Sequence, residues 1–106
     1  MALKTRPFDA AAYLEDDEAI VEYLEEAMKI AMEDSEPSFL TVALGTVARA
    51  RGMSQIAKDA GLSRESLYKA LGAEGNPEFG TVLKVLHALG LKLSIESQGK
   101  SQGEPA

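Results

Sequence analysis

The stretch that decides the fold runs Met53-Ser54-Gln55-Ile56-Ala57-Lys58-Asp59-Ala60-Gly61-Leu62-Ser63-Arg64-Glu65-Ser66-Leu67-Tyr68-Lys69-Ala70-Leu71-Gly72. Its spacing suits two short helices crossing at a steep angle, joined by a turn too tight for ordinary residues. Ala57 is small where such helices touch, and Gly61 follows where the turn requires a positive φ. Ile56, Ala60, Leu62, Leu67 and Ala70 supply the core face, and Ser63 is placed to cap a second helix over Arg64 to Leu71. Each requirement alone is weak, but all fall in register and predict a helix-turn-helix. The bland alternative is a generic bundle of short helices.

In that geometry the N-terminal part of the second helix enters the major groove of DNA. Its outward residues are Arg64, Glu65, Ser66, Tyr68 and Lys69, with Ser63 at its start. Arg64 suits guanine O6 and N7, Glu65 suits the amino group of cytosine, and Ser66 suits either role. Tyr68 and Lys69 lie a turn further on and suit phosphate. Gln55 in the first helix and Asn76 in the loop that follows complete the candidate DNA contacts. The plainer reading of each is a residue that merely faces solvent. One reading helix touches too few base pairs to be selective, so a homodimer on a palindromic operator is expected, with half-sites about 34–36 Å apart.

Upstream, Ile20, Leu24, Ala27, Met28 and Ala31 form one apolar helical stripe, with Asp16-Asp17-Glu18 as cap and first turn. Pro37 disfavours helix at Glu36, and Ser38 is the expected cap of a next helix carrying Leu40, Ala43, Leu44, Val47 and Ala48 and stopping at Gly52. Downstream, Gly72 to Pro77 reads as a loop. Phe79, Val82, Leu83, Leu86 and Leu89 mark a helix ending at Gly90. Leu91-Lys92-Leu93-Ser94-Ile95-Glu96 then alternates with the period of a strand.

The expected fold is therefore all-α: a repressor-like helix-turn-helix bundle with an acidic N-terminal helix and a short C-terminal β-strand. The expected divisions are an acidic arm over 1–37, the DNA-binding domain over 38–96 and a disordered polar tail over 97–106. An exposed strand edge pairs readily with its symmetry mate, which makes Leu91, Leu93 and Ile95 the candidate dimerisation residues. The alternative is a strand closing the chain's own sheet, for which Thr5 to Phe8 is the available partner.

With 106 residues the chain has room for a single core. Its lack of cysteine excludes disulfides and thiolate chemistry and favours a reducing cytoplasm. No stretch approaches the about 20 apolar residues of a membrane span, and Met1 to Pro7 lacks the apolar core of a signal peptide. The net charge of −6 is divided unevenly. Residues 1–37 hold eleven acids against three bases, whereas residues 38–92 hold seven bases against four acids. Two electrostatically opposed parts suggest two different partners, unless the acids simply form a solvated helix face.

An enzyme is not expected, and neither a metal nor a cofactor is called for. His87 stands alone, and Glu25 and Glu26 are adjacent and so point to different sides of a helix. Met28 and Met32 at i, i+4 read as gap-filling core. Gly72 and Gly75 lack the strand and lysine of a phosphate-binding loop.

From about Lys4 to Glu96 the chain resembles the addiction-module antidotes, HigA-like antitoxins with a phage-repressor type of helix-turn-helix. The resemblance rests on Thr5-Arg6-Pro7-Phe8-Asp9, Tyr13-Leu14 and Ala48-Arg49-Ala50-Arg51-Gly52-Met53-Ser54-Gln55. It rests most on Gly61 through Leu71, and continues through Gly75-Asn76-Pro77, Val82 to Leu86 and Ala88 to Leu93. It implies an antitoxin that neutralises a RelE/ParE-like toxin and represses their shared operon. Such toxins are basic because they grip RNA, so the acidic segment is the expected toxin contact, with Glu22, Glu25 and Glu26 at the rim and Tyr13 and Tyr23 as anchors.

The broader repressor pattern opens its first motif helix with a phosphate-binding glutamine, where this chain has Met53, and its loop is often basic, where this chain has Ala73-Glu74-Gly75-Asn76. Modest DNA affinity per monomer is the expectation. The alternative functions are a free-standing regulator of a mobile element without a toxin, and a pure interaction module whose motif residues only build the core.

Overall fold

A computed structural model describes residues 16–98. Tyr13 and the segment Thr5 to Phe8 lie outside the described residues, as does most of the expected tail. Within them the chain is helical: α1 (Asp17–Glu33), α2 (Pro37–Arg51), α3 (Met53–Ala60), α4 (Arg64–Ala70) and α5 (Phe79–Ala88).

Helix α1 starts where Asp16 accepts the Ala19 N–H at 2.9 Å, and buries Ala19, Ile20, Leu24, Ala27 and Ala31. It turns into α2 through Ser35, at φ 53°, and the two helices pack against each other. The cap of α2 is Glu36 rather than Ser38, which sits inside the first turn and donates its hydroxyl to Glu36 Oε1 at 3.2 Å. Pro37 explains the displacement, because its fixed φ and missing N–H suit the first helical position.

Gly52, at φ 109°, ends α2, and α3 begins at the next residue. Gly61, at φ 74°, closes α3, and the Leu62 N–H reaches back to the Ala57 carbonyl at 2.8 Å. Helix α5 ends in the same way: Gly90 is at φ 81° and the Leu91 N–H donates to the Leu86 carbonyl at 2.9 Å. Both are Schellman closures, in which a left-handed residue lets the chain satisfy orphan carbonyls.

One core joins all five helices. Its largest fully buried side chains are Ile20, Leu44, Val47, Leu67 and Val85, and α3 adds Met53, Ile56 and Ala57. In α5 the buried residues are Val85 and Leu86, followed by Leu89, while Phe79 and Leu83 are exposed. The expected period of this helix is present, but the buried face is centred on Val85.

The expected C-terminal strand is absent from the single chain. Residues 91–98 form no strand, because a strand exists only through a ladder partner, which the described residues do not supply. Leu91 is half-buried against the core and Leu93 is 41% exposed, whereas Ile95 is 95% exposed.

Candidate functional site

Helices α3 and α4 form a pair separated by Gly61, Leu62 and Ser63. Ser63 caps α4, its hydroxyl oxygen accepting the Ser66 N–H at 3.0 Å. Leu67 anchors α4 from below with no exposed surface, and Leu71 follows it into the core. Position is fixed further by Gly45 of α2, where a Cβ would stand 2.8 Å from the Leu71 carbonyl oxygen. Only a residue without a side chain lets the end of α4 come so close to α2. The rest of α4 is consequently presented outward: Arg64, Glu65, Ser66, Tyr68 and Lys69 are all exposed, as is Ser63 at the cap.

These residues are partly organised among themselves. The Arg64 guanidinium lies 5.3 Å from the centre of the Tyr68 ring and donates to its hydroxyl at 3.3 Å. That i, i+4 contact holds the arginine along the helix surface through a cation–π attraction. Ser63 and Ser66 share a hydroxyl–hydroxyl bond of 2.9 Å. On α3, Gln55 donates to Asp59 at 2.9 Å, again one turn apart.

Gln55, Arg64 and Tyr68 border one open groove, joined there by Arg49 and Ser54. Sequence reasoning missed these last two as groove residues. Arg49 sat in the last turn of α2, outside the motif, and the signal that could have found it is its place four residues ahead of Met53, next to the start of α3. Gly52 caps α3 without a side-chain bond, and Gly52 and the first residues of α3 also border the groove. Asn76 is exposed in the following loop and does not line it. Met53 is buried in the core.

On α1, Glu22, Glu25 and Glu26 are exposed, while Tyr23 is partly buried and packs on the core. The exposed face carries Asp17, Glu18, Glu22, Glu25, Glu26 and Glu33 against Lys29, a strongly anionic surface. At its start, Asp17 meets the Arg51 guanidinium at the end of α2, 3.0 Å away, as the antiparallel α1–α2 hairpin requires. A second groove, of about 510 Å³, runs between α1 and the extended segment after α5, bordered by Glu25, Met28, Met32, Leu91 and Leu93. It brings one acid proposed for toxin binding beside two residues expected at a dimer contact. Ile95 does not line it.

The scaffold thus carries an outward α4 face with Arg64, Tyr68 and Lys69 and a separate anionic face on α1. The family described as "probable addiction module antidote protein" matches residues 4–97, and the chain belongs to it. An uncharacterized protein of Haemophilus influenzae is 50% identical over 96 residues, covering 91% of this chain and 95% of that protein. No solved structure gives a significant match. Membership makes the chain an antidote in kind, with a toxin as its general partner. Among the described residues no helix is long and apolar enough to cross a membrane.

Proposed function

We propose that the chain is the antitoxin of a type II toxin–antitoxin module, a cytoplasmic homodimer that neutralises a RelE/ParE-like toxin and represses its own operon. It acts by binding alone and has no catalytic role. The observation that carries the DNA half is the outward face of α4, held by Leu67 below and by the Ser63 cap at its start. Arg64 turns from Tyr68 toward a guanine edge in the major groove, which frees the Tyr68 hydroxyl for a phosphate. Arg49, the α3 amides and Lys69 supply further backbone contacts, the work that the missing glutamine would have shared. This is the helix-turn-helix reading of the α3–α4 pair, and two copies address the two half-sites of the operator.

The toxin half rests on α1. A small basic protein that grips RNA phosphate finds a substitute for that charge in Glu22, Glu25 and Glu26, and Tyr23 offers the exposed part of its ring. Removing the whole arm would not isolate this role, because Ile20 and Leu24 are part of the core. Reversing Glu25 and Glu26 to lysine leaves the core intact and is expected to weaken toxin binding while sparing DNA.

The test is co-expression with the product of the adjacent reading frame, followed by co-purification and a shift of the shared promoter at two salt concentrations. A stable complex with a small basic protein and a salt-sensitive shift bear the proposal out. A promoter shift with no such partner leaves a free-standing regulator instead, and activity that survives loss of Arg64 and Lys69 leaves a pure interaction module.

A further inference from the structure

After Gly90 the chain peels away from its own core, from Leu91 to the fully open Ile95. The segment alternates Leu91, Leu93 and Ile95 with Lys92, Ser94 and Glu96. As an extended strand it therefore puts three apolar residues on one face and Lys92, Ser94 and Glu96 on the other. Ile95 is an exposed large hydrophobic with no apolar neighbour assigned to it in the core, and beside it Leu93 borders the groove against α1.

We infer that this segment pairs antiparallel with the same segment of a second copy, about a two-fold axis at Ser94. The inference rests on the homodimer of the proposed function and specifies the surface and register by which it forms. Turned about Ser94, the segment is complementary to itself. Lys92 of each copy stands opposite Glu96 of the other, and Leu93 of each stands opposite Ile95 of the other. Both charge pairs join opposite signs, and both apolar pairs lie on the same face.

Neighbouring registers lose the charge match. Turned about Leu93, the segment sets Leu91 against Ile95 and Leu93 against its own copy, but Leu91 already packs on its own core, and Lys92 then faces Ser94 and Glu96 faces Gly90. Turned about Ile95, Lys92 faces Gln98 and Glu96 faces Ser94. Sliding by one sets apolar residues against polar ones, because the side-chain period is two. Within the register about Ser94, the open Ile95 of one copy is delivered beside Leu93 of the other, at the lip of the groove lined by Met28 and Met32. The ladder also gives partners to the backbone groups of residues 92–96, which make no backbone–backbone hydrogen bond among the described residues of the single chain.

The experiment is a charge-reversal cycle on the full chain, read by sedimentation equilibrium at low salt: wild type, Lys92→Glu, Glu96→Lys and the double reversal. Wild type is expected to dimerise with concentration. Each single reversal turns two attractive cross-strand pairs repulsive and should raise the dimer dissociation constant on the order of tenfold. The double reversal restores the pairs with their signs exchanged and should return it to near the wild-type value. All these positions are exposed, so circular dichroism should be unchanged throughout.

A wild-type chain that stays monomeric, single reversals without effect, or a double reversal that is merely the sum of the two would each overturn the register. Promoter and toxin binding are measured on the same samples. If they persist in a chain indifferent to the reversals, the register is wrong and the antitoxin reading stands; if they persist in a monomeric chain, the homodimer is wrong as well and only the binding roles stand. If the cycle behaves as expected but neither ligand binds, the register stands and the function is wrong. Protection of residues 91–96 only when the toxin is added would assign the segment to the toxin instead.

Discussion

Helices α1 and α4 are both amphipathic, yet they hold their exposed faces in place by different means. Helix α1 has 17 residues and buries five of them along its length, so its anionic face rests on a long seam with α2. Helix α4 has seven residues, too few for independent stability, and of these Leu67 is buried. Its position comes from outside: the Gly61 turn before it, the Ser63 cap at its start, and Gly45 and Leu71 at its end. A long seam tolerates local damage, whereas a helix held at a few points gives up most of its own length as contact surface but depends on each point.

The largest expected effect tests that dependence. Leu67→Ala removes the buried anchor of α4 and should cost about 2–5 kcal/mol in chemical denaturation, with promoter binding lost alongside. Leu24→Ala in α1, also in the core, should fall at the lower end of that range and leave the α4 face in place. If the two substitutions cost the same and abolish DNA binding equally, the contrast between the helices is false.

Next in size is a change that touches the face and not its support. Arg64→Ala should weaken operator binding by about 1–3 kcal/mol, measured by a filter or fluorescence titration, without moving the denaturation midpoint by a comparable amount. It should also leave toxin affinity unchanged. Tyr68→Phe removes the hydroxyl that Arg64 donates to and keeps the ring beneath it. It should therefore cost DNA binding less than Arg64→Ala does.

The two caps permit a matched comparison. Ser63 and Asp16 each satisfy an amide of the first turn, Ser66 in one case and Ala19 in the other. Either residue replaced by alanine should cost about 1 kcal/mol of stability. Only Ser63→Ala should alter DNA binding, because α4 has little else to hold its first turn in place.

The caps, apart from that of α2, where Pro37 moved the start from Ser38 to Glu36, were legible in the sequence because they are settled within a few residues. Gly61, Ser63, Asp16, Gly52 and Gly90 all stand where local geometry demands them, and the helices they bound follow. What the sequence could not display depends on a distant partner. Gly45 carries no local signal, because its role comes from the end of α4 lying against it. Arg49 belonged to another helix and became a groove residue only through packing. In α5 the period was readable but the buried face turned on Val85, because the neighbours that choose the face come from other helices. The segment 91–96 reads as a strand by period, yet its partner is not among the described residues. Of the candidate site, the outward set on α4 was legible from helical spacing; the bonds of Arg64 to Tyr68 and Gln55 to Asp59 are one-turn pairs that sequence spacing also permits.

The smallest effect concerns the point where the two regions meet. Asp17, in the first turn of α1, draws Arg51 to itself across 3.0 Å, at the end of the helix that leads into α3. The Asp17 side chain is 83% exposed and that of Arg51 34%, so solvent screens the pair, and Asp17→Asn should change stability by less than about 1 kcal/mol. Its electrostatic consequence runs the other way. Removing one negative charge leaves Arg51 unneutralised two residues from Arg49 and next to Gly52 at the start of α3. Operator affinity should then rise modestly at low salt, and the gain should shrink as salt is added. An unchanged affinity across the salt series would mean that the acidic helix and the α3–α4 pair share a core but no electrostatic coupling. A rise would mean that the arm moderates the affinity of the surface beside it even before a toxin arrives.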